Sequence, residues 1–264
     1  MYSIEISDLS IENVDDVFRI CSHSKLSDPI QKIGIRLKRR WLLEILEKNG
    51  PPTKIAYIDG KPVAQILFYP EAAIPFISNP RKDVILIHCI YNPFPEARGK
   101  GASTLLLRSL IDDCRSGLRI LGGRKCTFIV AKPFETGEGV SLNSFYSKQG
   151  FKKRRDELFL EVSEEYKSRV ETEYKPLPED KGKALIFYNP LCEYSYPFAF
   201  TVRSFLKEIE PKLEIELVDE WMRPWESIRR GNHWLIVNTK PIKSFWTKKD
   251  AFRKEIESAL AKGY

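Results

Sequence analysis

The segment from Val84 to Leu107 restricts the fold of this chain more than any other part of the sequence. Residues 84–91 are apolar at nearly every position, which predicts a central strand that is buried on both faces. A turn with two glycines follows, and leucines then recur at helical spacing over residues 102–114. A buried strand that leads through a glycine turn into a helix is typical of α/β proteins.

Strand and helix patterns also alternate outside this segment. In the first part of the chain we predict further strands at residues 2–6, 54–58, 62–69, 126–130 and 158–162, and helices near 11–21, 35–46 and 141–149. Residues 184–264 have the order strand, helix, strand, helix, strand, strand, helix, in which a closing hairpin pairs residues 234–238 with 242–246.

Composition changes between these two parts. The 22 residues from Val162 to Lys183 contain 11 charged side chains and two prolines, which is typical of a linker. We therefore predict an α/β (α+β) protein with one domain at residues 1–163, a charged linker at 164–183 and a smaller domain at 184–264.

Composition also excludes several classes of protein. The chain is 42% hydrophobic and has no run of about 20 apolar residues, so we expect neither a disordered protein nor a membrane span. Five cysteines are scattered singly and no secretory signal is evident, which predicts a cytoplasmic protein without a disulfide framework or a metal site. The net charge of +7 is dispersed, and its one cluster, residues 152–155, is predicted to be a solvated turn. We therefore do not expect nucleic-acid binding.

The turn that follows the central strand has the composition of an anion site. Its sequence is Arg98-Gly99-Lys100-Gly101-Ala102-Ser103. A helix N-terminus exposes backbone N–H groups and the positive end of the helix dipole, and glycines let the backbone approach an anion. The spacing fits neither a Walker A loop nor a dinucleotide fingerprint. The turn can thus cradle a pyrophosphate, or it is an ordinary glycine turn that caps a helix.

A second motif lies downstream and gives the first one a context. It is Asn143-Ser144-Phe145-Tyr146-Ser147-Lys148-Gln149-Gly150-Phe151, a predicted helix that ends in Tyr-x-Lys-x-Gly-Phe. The two motifs in this order resemble the GCN5-related N-acetyltransferase (GNAT) superfamily, over roughly residues 2–163. The resemblance implies a mixed, twisted sheet flanked by helices, and acetyl-CoA as cosubstrate with no metal.

The resemblance also implies roles for particular residues. The backbone amides from Arg98 to Ser103 match the turn that holds the coenzyme A pyrophosphate. Cys89, Ile90 and Tyr91 match the strand end that pairs with the pantetheine arm, and Tyr146 matches the acid that protonates the departing thiolate. This chain has extra residues between Tyr91 and Arg98, so the register there stays open. The asparagine that often precedes the tyrosine by seven residues is replaced by Gly139.

Acyl transfer to an amine also needs a base. His88 lies on the central strand and can accept a proton directly or through water, or it can be a buried structural histidine. Strand alternation places His88 and Cys89 on opposite faces unless a β-bulge intervenes. Tyr146 has its own alternative, which is a packed aromatic ring with its hydroxyl at the surface.

The second domain resembles a thioredoxin-like βαβαββα fold. Cys192 lies where such domains begin their Cys-x-x-Cys site, but Ser195 occupies the second cysteine's position. Cys192 is therefore either a thiol activated at a helix N-terminus or an inert, half-buried one. The combination of both domains resembles the YoaP-like acetyltransferases.

These features together predict an acetyl-CoA-dependent N-acetyltransferase that moves an acyl group to an amine by direct attack in a ternary complex. The acceptor is a small-molecule amine or a peptide, and the sequence leaves its identity open. Two alternatives remain: a non-catalytic protein that binds or senses acyl-CoA, and a thiol-handling protein that uses Cys192.

Overall fold

A computed structural model describes residues 3–133 and 141–261. The chain forms two compact units. The first consists of the described residues within Met1–Leu26, Arg39–Ile74 and Pro80–Arg169. The second consists of those within Ser27–Lys38, Pro75–Asn79 and Val170–Tyr264.

The first unit is built on a mixed sheet flanked by helices. Its strands are β1 (Ile4–Asp8), β2 (Thr53–Ile58), β3 (Lys61–Pro70), β4 (Ile85–Tyr91), β5 (Phe128–Ala131), β6 (Lys152–Arg154) and β7 (Glu157–Glu161). The helices are α1 (Val14–Cys21), α2 (Pro29–Lys48), α3 (Ala102–Ser116) and α4 (Leu142–Lys148), and the first ten residues of α2 belong to the second unit.

The seven strands described for this sheet follow the order β1-β2-β3-β4-β5-β7-β6. The β4–β5 pair is parallel and the other neighbours are antiparallel. The predicted central position of β4 is therefore confirmed. Leu106, Leu107 and Leu110 of helix α3 are fully buried, while Leu105 is exposed, because the buried leucines recur on one helical face.

One charged segment of this unit differs from its prediction. The basic residues 152–155 were expected to form a turn, but Lys152–Arg154 is the edge strand β6, which pairs with β7. All three side chains are exposed. Charge on an edge strand discourages pairing with another chain, so the cluster is solvated as predicted but extended.

The second unit has the predicted order of elements. They are β8 (Lys183–Tyr188), α5 (Ser195–Ile209), β9 (Glu214–Asp219), α6 (Pro224–Ile228), β10 (Leu235–Val237), β11 (Lys240–Pro241) and α7 (Lys249–Leu260). The sheet order is β11-β10-β8-β9, in which β8 and β9 are parallel while β10 is antiparallel to both β8 and β11.

The predicted strand at residues 242–246 is wrong. Strand β11 ends at Pro241, and the Ile242 N–H still donates to the Leu235 carbonyl of β10 at 3.0 Å. Beyond Ile242 the Phe245 ring packs against Phe198 at 4.9 Å and Trp234 at 5.6 Å. The aromatic residues of this segment thus cover the core and do not extend the sheet.

Candidate active site

Strand β4 carries a β-bulge at the predicted base. Its register with β3 pairs Cys89 with Leu67 but Ile87 with Phe68, so His88 is an extra residue on the β4 side. A bulge turns two successive side chains toward the same face. The bulge therefore brings His88 and Cys89 together, although regular alternation would separate them.

The two central parallel strands share only a short ladder. Its residue pairs end at Ile87 and Ala131, whereas the ladder of β4 with β3 continues to the pair of Gln65 and Tyr91. The predicted pantetheine-binding residues Cys89, Ile90 and Tyr91 all lie beyond the end of the β4–β5 ladder. An extended ligand chain can pair with the backbone at such a place, much as an added strand does.

The residues between Tyr91 and Arg98, whose register the sequence left open, form a short folded loop. Residues 95–97 form a 3₁₀ turn, and the Asn92 side-chain amide donates to the Ala97 carbonyl at 3.3 Å. The Arg98 guanidinium donates to the carbonyls of Asn92 and Pro93, at 3.4 and 3.2 Å. The Arg98 side chain therefore stabilises the loop, which leaves its backbone as the part that can bind a ligand.

The glycine turn itself has an open, left-handed backbone. Gly99 and Gly101 have φ values of +75° and +91°, which glycine adopts without the cost that a side chain adds. A Cβ at either position would meet no atom within 4 Å. Glycine is thus required here by the backbone conformation, while the space beside the turn stays open to a ligand.

This turn also leaves the start of α3 available to an anion. Gly101 is the N-cap of α3 and no side chain caps the helix. The first backbone bond of the helix runs from the Leu105 N–H to the Gly101 carbonyl, at 3.0 Å. The amides of Ala102 and Ser103 therefore lie at the uncapped, positive end of a 15-residue helix. The described residues fit a diphosphate group.

Tyr146 is a buried residue at the end of α4. It is 2% exposed, and the rings of Phe145 and Phe151 lie 5.4 and 5.1 Å from its own. The ring is therefore packed, and almost none of the residue lies at the surface. Burial raises the pKa of Tyr146, and the electrostatic influence of the nearby Cys89 raises it further. Its phenol remains protonated at neutral pH.

His88 is held by a residue that the sequence did not single out. The Tyr69 hydroxyl lies 3.0 Å from His88 Nδ1, and Trp41 of α2 packs edge-on against the Tyr69 ring at 6.2 Å. Near the loop, the rings of His23 and Phe94 lie 5.2 Å apart. Only strand pairing could have revealed Tyr69, because 19 residues separate it from His88.

Two other predicted features belong to different parts of the chain. Gly139 lies outside the described residues. Cys192 lies three residues before α5 in the second unit and is half-buried; its carbonyl accepts from the Ser195 N–H at 3.0 Å.

The described residues contain no cluster of His, Cys, Asp and Glu that could hold a metal ion. None of the described helices is long and apolar enough to cross a bilayer.

Comparisons with known proteins give structural likenesses only. No family model and no curated protein matches this chain. A GNAT family acetyltransferase from Brucella melitensis, in complex with acetyl-CoA, has a TM-score of 0.42 and 12% identity, covering 64% of this chain and 94% of its own.

Two further solved structures give similar values. The PaiA N-acetyltransferase from Thermoplasma acidophilum, in complex with coenzyme A, has a TM-score of 0.41 and 18% identity, covering 62% of this chain and 99% of its own. An N-acetyltransferase from Staphylococcus aureus Mu50 has a TM-score of 0.41 and 17% identity, with coverages of 61% and 99%. At these values no residue of this chain takes a role from those proteins.

Proposed function

We propose that this chain is an acetyl-CoA-dependent N-acetyltransferase of the GNAT superfamily, with a small-molecule amine or a peptide as acceptor. One observation carries the proposal. Beyond Ile87 the β4–β5 ladder ends, and there β4 continues into an open glycine turn at the uncapped start of α3. Tyr146 of α4 is buried near Cys89, which belongs to this part of β4.

Each part of this arrangement suits a part of acetyl-CoA. The amides of residues 99–103 would bind the diphosphate, with Lys100 adding positive charge. The backbone of Cys89, Ile90 and Tyr91 would pair with the amide groups of the pantetheine arm. A backbone N–H of the same strand end would stabilise negative charge on the thioester oxygen.

The same residues supply the proton chemistry of direct attack. The acceptor amine attacks the acyl carbon within a ternary complex, and His88 takes up the proton that the amine loses. Tyr146 faces the departing thiolate with its proton in place. Because its pKa is raised, we expect the phenol to act mainly by donating a strong hydrogen bond, since full transfer of its proton is less favourable than from an ordinary phenol.

The proposal is tested by incubating the full chain with radiolabelled acetyl-CoA and a panel of amines and peptides. The expected result is an acetylated acceptor, formed by the wild-type chain and not by Gly101→Glu, whose added carboxylate would occupy the anion site. Tight binding of acetyl-CoA without transfer to any acceptor would instead support the acyl-CoA-sensing alternative.

For the second unit we propose a thioredoxin-like fold, as in the YoaP-like acetyltransferases. The order βαβαββα, with a parallel β8–β9 pair beside an antiparallel hairpin, supports this. The position of Cys192 just before α5 is the one observation that favours a thiol-handling role. Rapid alkylation of Cys192 at mildly acidic pH would support that role, and an unreactive Cys192 would end it.

A further inference from the structure

Tyr69 occupies a position beside the proposed base that packing makes rigid. It comes from β3 and is 2% exposed. The indole of Trp41 packs edge-on against one side of its ring, and the imidazole of His88 lies at a centroid distance of 5.8 Å and a tilt of 42°. Its hydroxyl therefore has little freedom to move away from His88 Nδ1, which lies 3.0 Å away.

Strand pairing explains this contact. Tyr69 is paired with Leu86, and His88 lies on the same face of β4 as Leu86, because side chains two residues apart in a strand share a face. The Tyr69 and His88 side chains are therefore diagonal neighbours on adjacent strands. The β-bulge at His88 pairs Cys89 with Leu67 and so adds Cys89 to this face. The register of β3 and β4 thus brings a phenol oxygen to one particular imidazole nitrogen.

The direction of the hydrogen bond at Nδ1 determines what the other nitrogen can do, since a tyrosine hydroxyl can either donate or accept. A neutral imidazole carries one N–H, and the partner of one nitrogen sets the role of the other. When Nδ1–H donates to the Tyr69 oxygen, Nε2 keeps its lone pair and can accept a proton. The imidazolium that forms retains the same hydrogen bond. In the opposite tautomer Nε2 already carries hydrogen and cannot act as a base.

We propose that Tyr69 is a positioning residue that holds His88 in the Nδ1–H tautomer, so that Nε2 accepts the proton of the attacking amine. This inference rests on the proposed acetyltransferase function. In the step, the C–N bond forms as the C–S bond breaks, and the thiolate leaves with the electron pair of that bond. The proton lost by the amine goes to Nε2, and the thiolate takes up one proton, so that one proton passes in net from nitrogen to sulfur.

The first test needs neither acetyl-CoA nor an acceptor. The full chain contains three histidines, so nitrogen-15 NMR of the labelled imidazoles can resolve His88, assigned with a His88→Ala variant. The expected result is a Nδ1–H tautomer in the wild-type chain and a mixture of tautomers in Tyr69→Phe. Tyr57→Phe is the matched control, because it removes a β2 phenol whose hydroxyl donates to Asp16, and it should leave the His88 signals unchanged.

Two NMR results would overturn the proposal. One is a Nε2–H tautomer of His88 in the wild-type chain. The other is a Tyr69→Phe variant that retains the wild-type tautomer, which would mean that another group sets the proton position. Both results are readable whether or not the chain transfers acetyl groups.

The second test uses kinetics with an acceptor from the amine panel. Losing one hydrogen bond to the base should lower kcat about tenfold in Tyr69→Phe, with KM for acetyl-CoA unchanged. Adding Tyr69→Phe to His88→Ala should cause no further loss, because Tyr69 acts through His88. Independent, multiplying losses would contradict the proposal. Absence of transfer by the wild-type chain would count against the proposed function alone, and the NMR result would still decide the role of Tyr69.

Discussion

The buried ion pair between Lys38 and Glu193 permits a quantitative prediction about the second unit. Lys38 Nζ lies 2.8 Å from Glu193 Oε2, and the two side chains are 2% and 1% exposed. The Glu193 carbonyl accepts from the Gln31 side chain at 3.4 Å, and a Cβ at Gly34 would lie 1.9 Å from the same oxygen. The ion pair therefore lies within a close contact between residues 27–38 and the chain next to Cys192.

The perturbation is Lys38→Met, which keeps an unbranched apolar stem and removes the ammonium. It leaves the Glu193 carboxylate buried without that partner, a change that costs about 3–5 kcal/mol. For a protein of this size each kcal/mol lowers Tm by about 2–4 °C, so Tm should fall by about 6–20 °C. The double variant Lys38→Met/Glu193→Leu replaces both charges with apolar groups and should recover most of this loss.

Thermal unfolding followed by circular dichroism measures these changes. Arg40→Met is the matched control on the same helix. Its partner Glu44 lies 3.5 Å away, but the two side chains are 65% and 40% exposed, so the loss should stay below about 0.5 kcal/mol. The reasoning is refuted if Lys38→Met is no less stable than Arg40→Met, or if the double variant Lys38→Met/Glu193→Leu is no more stable than Lys38→Met.

Three further predictions concern single side chains. Tyr146→Phe should lower kcat about 100-fold without changing the affinity for acetyl-CoA, and an unchanged kcat would remove its role. Burial raises the pKa of Glu220, so the folded chain retains that proton more tightly and loses stability as pH rises from about 4.3 through the raised value. The free energy of unfolding, measured with urea, should differ less between pH 5 and pH 8 in Glu220→Gln than in the wild-type chain. An equal difference in both proteins would contradict this. Cys114 and Cys126 are fully buried, and the pKa of Cys114 is raised, first by its hydrogen bond with the Cys126 thiol. At most three of the five cysteines should react with Ellman's reagent before unfolding; rapid reaction of all five would contradict the burial.

The sequence predicted those parts of the fold that depend on local patterns. The closing helix predicted for the second domain is present at residues 249–260, because its apolar residues recur at helical spacing. The glycine turn before α3 was also predictable from local sequence, since its motif consists of six consecutive residues. The prediction of a strand at 242–246 was wrong because apolar aromatic residues are equally typical of a strand and of a loop that covers a neighbouring core.

The parts that were missed depend on pairing between distant segments. A β-bulge at His88 exists only relative to the register of β3, and an isolated sequence carries no record of register. The contact of Tyr69 with His88 follows from that register and could not be read from either strand alone. Residues 27–38 likewise join the second unit through Glu193, which is 155 residues away from Lys38.

The most direct test of the central claim is a calorimetric titration of the full chain with acetyl-CoA. Gly101→Glu is compared with Gly60→Glu, because both glycines have positive φ and open space around them while Gly60 lies in the β2–β3 hairpin. The account predicts micromolar binding to the wild-type chain and to Gly60→Glu, and none to Gly101→Glu. Absence of binding to the wild-type chain, or equal binding to both variants, would contradict it.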